Sequence, residues 1–191
     1  MPFRALLALG AYLTAAAAGL AAPAADGRLR IPEVRTALSG RDLKVEARLS
    51  RALPEDVTKR LASGLPTTAT WEVRLFVVRR NWWDGLVDER RYAVTATYRP
   101  VGGDYTLERR LDGRLLETTV VPDREEALRA LATLPGLPCF RMAPRLAGRT
   151  LGVRVRCVYG SEMALGLFPA RVGTSWRRSP RFSWTEPGGA P

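Results

Sequence analysis

The stretches TATWEVRLFVVRR, NWWDG and LVDERRYAVTATYR, residues 68–80, 81–85 and 86–99, decide how this chain folds. Ala69, Trp71, Val73, Leu75 and Val77 occupy alternate positions, with Thr70, Glu72, Arg74, Phe76 and Val78 between them. A period of two is the mark of a strand with one face in the core, so the spacing predicts a strand from Thr68 to Arg80. Asn81-Trp82-Trp83-Asp84-Gly85 is turn chemistry. A return strand from Asp88 to Arg99 follows, with Tyr92, Val94, Ala96 and Tyr98 alternating against Arg91, Ala93, Thr95 and Thr97. Two long strands joined by a tight turn make an antiparallel hairpin.

Working outward, the same patterns recur. Tyr105 to Leu111, the Asp112-Gly113 pair and Leu115 to Val120 read as a second hairpin, since Asp-Gly supplies the positive φ angles of a two-residue turn. From Asp42, the alternation of Leu43, Val45, Ala47 and Leu49 predicts a strand. Pro54-Glu55-Asp56 opens a short helix carrying Val57 and Leu61 on one face, and Gly64 stops it. Asp123 followed by Glu126 is a capping-box variant, and Ala127, Leu128, Leu131 and Leu134 fall at helical spacing behind it. Leu151, Val153, Val155 and Cys157 make another strand. Residues 26–40 read as an extended lead-in, and the tail from Gly160 is aromatic and irregular. The order β-α-β-β-β-β-α-β gives an α+β domain, a largely antiparallel sheet with two short helices on one face. A β-sandwich with helical inserts is the alternative.

Length and composition set limits on function. The chain has 191 residues and 46% hydrophobic content, enough for one domain with a packed core. It contains no histidine, which excludes Ser-His and Cys-His nucleophile pairs and His-ligated metal sites. No cofactor is implied. The net charge is +11, and only Lys44 and Lys59 among the cations are lysines.

Residues 1–24 read as a secretory signal peptide. Arg4 precedes an uncharged run from Ala5 to Ala22, and Ala22 and Ala24 match the small-residue cleavage pattern. The expected location is therefore the periplasm, with an uncleaved inner-membrane anchor as the alternative. No later run is long enough to span a bilayer. Residues 25–40 form the lead-in, 41–185 the exported domain and 186–191 a disordered tail.

In an oxidising compartment Cys139 and Cys157 are candidates for a disulfide. Cys139 sits in a Pro-rich segment expected to be a loop, and a bridge closing it would add about 3 kcal/mol. Two unrelated buried thiols are the other reading.

Catalytic constellations are sparse. Asp84, Asp88 and Glu89 surround one turn, as a pair of glycosidase carboxylates would, yet turn aspartates commonly bond their own backbone. Arg74, Arg91, Arg99, Arg110, Arg154 and Arg156 oppose the apolar positions of their strands, so neighbouring strands would gather them into a basic face. Such a face attracts anionic envelope components or an acidic envelope partner; export makes nucleic acid an improbable ligand. The simpler reading is a solvated surface. Arg79, Arg80, Trp82, Trp83 and Asp84 stand together at the hairpin tip as a candidate partner-binding site. The competing view packs both indoles against Trp176 and Trp184 and pins the tail.

The segment Arg79-Arg80-Asn81-Trp82-Trp83-Asp84, with the Tyr92 to Tyr98 strand after it, resembles an exported bacterial family known as a domain of unknown function. Gly64-Leu65-Pro66 after the first helix, Leu167-Phe168-Pro169 and the spaced Trp176 and Trp184 match that family's pattern over residues 40–185. The last strand departs from it, with Cys157-Val158-Tyr159-Gly160 where members often carry Leu-Asp. The resemblance implies a signalling or envelope-maintenance setting, with an envelope-facing signalling partner, because members are encoded near an envelope-facing sensor kinase, and it supplies no activity. Together these readings give a non-enzymatic exported binding protein, with a carboxylate-dependent hydrolase of envelope glycans as the alternative.

Overall fold

The long hairpin is the centre of the molecule. The structure is a computed structural model, and it describes residues 29–50, 53–80, 83–160 and 172–186. Strand β3 (Thr67–Val77) pairs with β4 (Gly85–Arg99) in antiparallel register, Trp71 opposite Tyr92 and Ala69 opposite Val94. Strand β8 (Thr150–Gly160) flanks β3 on the other side, placing Val73 opposite Val155 and Trp71 opposite Cys157. Beyond β4 come β5 (Asp104–Leu111) and β6 (Arg114–Val121), the second predicted hairpin. At its turn Asp112 and Gly113 have φ of 50° and 82°, as a two-residue turn of this hand requires.

A second sheet covers this one. Strands β1 (Val34–Ser39), β2 (Asp42–Arg48) and β7 (Thr133–Arg141) run antiparallel in the order β1-β2-β7. Helix α1 (Glu55–Ala62) buries Val57 and Leu61, and α2 (Arg124–Leu131) buries Ala127 and Leu131. Asp123 caps α2 as expected, its carboxylate accepting from the Glu126 N–H at 2.7 Å. The core lies between the large sheet on one side and the small sheet with both helices on the other. It is built from Trp71, Val73, Tyr92, Val94, Leu107, Val153 and Val155 against Leu43, Val45, Leu61, Leu131 and Leu134. The α+β description therefore stands, and the β-layers stack as in a sandwich.

Two strands escape the sequence pattern. β1 lies inside the expected lead-in and buries only Val34 fully, so it carries no alternation. β7 holds Pro135, Gly136 and Pro138, which read as a loop. It is an edge strand, and irregularities opposite Leu43/Lys44 and Val45/Ala47 absorb the residues that cannot join a regular ladder. Leu134, expected as the last helical leucine, belongs to β7 and is fully buried there.

The tail is ordered by β8. Three two-residue strands, β9 (Val172–Gly173), β10 (Arg177–Arg178) and β11 (Phe182–Ser183), pair in succession along its free edge. They satisfy backbone groups that an open edge would expose.

The expected disulfide is corrected. Cys139 and Cys157 are free, buried thiols on strands of different sheets, β7 and β8. The segment around Cys139 is a paired strand and not a loop waiting to be closed. Desolvation by the core pushes both thiols up to about 12, which keeps them protonated and unreactive. The expected signal peptide, residues 1–24, lies outside the described residues, as does the segment from 187 onward. Among the described residues no helix is long and apolar enough to cross a membrane.

Candidate interaction site

The outer face of the large sheet does gather the arginines that the alternation placed there, and it gathers carboxylates with them. Arg74 donates from Nε to Glu89 at 2.7 Å, and Arg156 from Nη2 to Glu72 at 2.7 Å. Arg91 lies 3.5 Å from Glu89, Arg110 lies 2.9 Å from Glu108 and Arg99 lies 2.6 Å from Asp104. Arg154 is paired with Asp84. Above them lies Trp176, whose ring receives Arg74 at 4.5 Å and Arg156 at 4.7 Å from its centroid. The field expected from these residues is thus largely neutralised in place, and the tail covers part of it.

Asp84 illustrates the change. Its side chain is 15% exposed, paired with Arg154 and 3.4 Å from Arg178 of the tail. It joins the hairpin tip to β8 and β10 and is not presented to solvent. Asp88 pairs with Arg90 at 2.9 Å, and Glu89 with Arg74. Glu89 and Asp112 line a shallow depression, but Asp112 accepts from the Arg91 N–H at 2.8 Å and also faces Arg90. Every carboxylate considered for acid–base work is held by a guanidinium. Among the described residues no group of three Asp, Glu or Cys side chains could hold a metal ion.

Another cavity, of about 470 Å³, opens between the β5–β6 hairpin, α2 and β7. Leu107, Leu116, Ala130, Pro135 and Leu137 form its apolar walls. Its most buried cation, Arg109, is paired with Glu117 and donates to Thr119 at 3.0 Å. Burial pushes the neighbouring Tyr92 hydroxyl up, against the opposing pull of the Arg109 charge. The volume suits a small molecule. No sequence signal pointed here, because its lining comes from five successive elements whose faces meet only in the folded chain.

The hairpin tip differs from the sheet face. Trp83 is 86% exposed and Leu86 57% exposed. Arg79 and Arg80 are exposed, and neither has a carboxylate partner among the described residues. The Arg79 guanidinium lies across Gly85, close enough that a Cβ there would meet Nη2 at 3.3 Å. Trp82 lies outside the described residues. The expectation that the tip indoles pack on the tail is corrected for Trp83. Trp176 is taken up by Arg74 and Arg156, and Trp184 is buried with its Nε1 donating to the Gly40 carbonyl at 3.2 Å. Both tail tryptophans are therefore occupied, and Trp83 stands free of them.

A model of a domain of unknown function, DUF4390, matches residues 27–185, most of the chain. The chain belongs to this family. The DUF4390 match begins before β1 and ends just after β11, so it takes in both sheets and the strapped tail. No curated protein and no solved structure matches the chain. The family assignment agrees with the resemblance carried by the Trp-Trp-Asp turn, and brings no activity with it.

Proposed function

We propose that this DUF4390 member is an exported, periplasmic protein that works without catalysis, docking onto another envelope component through the β3–β4 tip. The observation that carries the reading is Trp83, 86% exposed beside two arginines that have no carboxylate partner among the described residues. An exposed indole beside guanidinium groups offers a partner both a large apolar ring and a polar N–H. The N-terminal pattern of residues 1–24 supports export. The outer sheet face has less claim, because its arginines already have partners. A glycan hydrolase also has less support, since Asp84, Asp88 and Glu89 all face guanidinium groups.

The test is retention of envelope extracts on the immobilised protein at rising salt. Components held at low salt should be released as screening increases, and should be missing when Arg79→Ala and Arg80→Ala are combined. Identical recovery by the wild type and that double variant would remove the tip from the function.

A further inference from the structure

We propose that the end of the molecule carrying the β3–β4 tip rests on an anionic phospholipid surface, with Trp83 seated at headgroup level. This rests on the docking role proposed for the tip, and names what occupies it.

Four parts of the chain meet at this end, joined by backbone bonds. The Val78 N–H donates to the Thr150 carbonyl at 2.8 Å, linking the end of β3 to the start of β8. The Gly148 N–H donates to the Trp184 carbonyl at 3.0 Å, and Trp184 reaches the β1–β2 turn at Gly40. The Met142 N–H donates to the Arg41 carbonyl at 2.6 Å, tying the end of β7 to the same turn. These links bring together six exposed arginines: Arg79, Arg80, Arg141, Arg145, Arg149 and Arg181. None of the six has a carboxylate partner among the described residues, in contrast to the arginines of the sheet face. Of the acids nearby, Asp84 is turned inward to Arg154 and Arg178, Glu186 lies 3.6 Å from Arg41, and only Asp42 is left exposed.

The chemistry of the occupant follows from this set. Guanidinium groups bind phosphate oxygens through a planar fork of donors, and they keep their charge at any physiological pH. Six of them on separate segments match a field of phosphates better than one ligand. A tryptophan with an apolar ring and a polar N–H suits the headgroup layer, and Leu86 adds apolar area beside it. At the opposite end of β4, Arg99 is tied to Asp104 at 2.6 Å, unlike the six arginines at this end.

The experiment uses the full chain with Leu86→Cys carrying an environment-sensitive fluorophore; the native Cys139 and Cys157 are buried and do not compete for the label. Equimolar phosphatidylglycerol–phosphatidylcholine vesicles should brighten and blue-shift the probe, and pure phosphatidylcholine should need about tenfold more lipid for the same change. Salt should weaken the response, and adding Arg79→Ala with Arg80→Ala should lower apparent affinity about tenfold. The same probe on Val101→Cys, at the opposite turn, should stay silent. An equal response on neutral vesicles, an equal response at Val101, or no effect of the arginine substitutions overturns the proposal. A response to poly-glutamate and none to anionic vesicles overturns the lipid surface while leaving the docking role in place. Silence toward both, together with unchanged extract recovery by the arginine variant, overturns both.

Discussion

The arginines of the large sheet's outer face and those of the tip end are the same side chain put to opposite uses. On the face, Arg74, Arg91, Arg110, Arg154 and Arg156 each have a carboxylate within ion-pair distance, and Trp176 lies over two of them. At the end, six arginines have none among the described residues, and the aromatic beside them points into water. Charge that is matched and half-buried holds parts of the chain together. Unmatched, exposed charge at one end contributes little to folding and remains available to a partner. Net charge alone could not distinguish the two, because it sums them.

The largest expected effect breaks the face. Glu72 is 8% exposed and receives two nitrogens of Arg156, so Glu72→Ala would strand a half-buried guanidinium. Loss of about 3 kcal/mol in urea unfolding is expected. Trp176→Ala comes next. It removes two cation–π contacts and with them the weight that presses the tail on β8, for a loss of about 1–2 kcal/mol. Amide exchange at Arg177 and Arg178, the β10 pair, should quicken in that variant. At the end the effect on folding should nearly vanish: Arg79→Ala combined with Arg80→Ala should change stability by less than about 0.5 kcal/mol. If that double variant lost as much as Glu72→Ala, the end would be structural after all.

A pH scan reads the buried thiols directly. Cys139 and Cys157 rise from 9.0 to about 12 on burial, so the folded state holds protons that the unfolded state loses. Their contribution is complete below pH 9 and is lost as pH climbs towards 12. Burial moves Tyr92 and Tyr159 upward too, and they act in the same direction. Replacing both cysteines with alanine should flatten the early part of this alkaline decline. Native protein should present no thiol to a reagent at neutral pH, and denatured protein should present both.

Where a strand alternates, the chain announced it. β3, β4, β5 and β8 bury alternate positions along much of their length, so apolar residues mark every second position there, while β6, exposed along most of its length, was announced by the Asp112-Gly113 turn before it. β7 was hidden because an edge strand with bulges tolerates proline, and β1 because pairing with β2 asks little of its side chains. The same logic applies to the candidate site. Alternation placed the face arginines on one side of the sheet, yet it could not show that Glu72, Glu89 and Asp84 from other strands would meet them. Trp83 and the adjacent arginines at 79 and 80 were visible as a turn. Their convergence with Arg145 and Arg149 depends on β8 pairing with β3, and with Arg181 on the tail folding back along β8, a contact between residues about a hundred positions apart.

The central claim is that this end, and not the sheet face, is where the protein meets its surroundings. A photoreactive residue at Leu86, beside Trp83, and another at Val120, exposed on the outer face of β6, test it in living cells. Crosslinks that form from position 86, fade with Arg79→Ala and Arg80→Ala, and do not form from position 120 are the predicted result. Crosslinking from 120 with none from 86 would contradict the account.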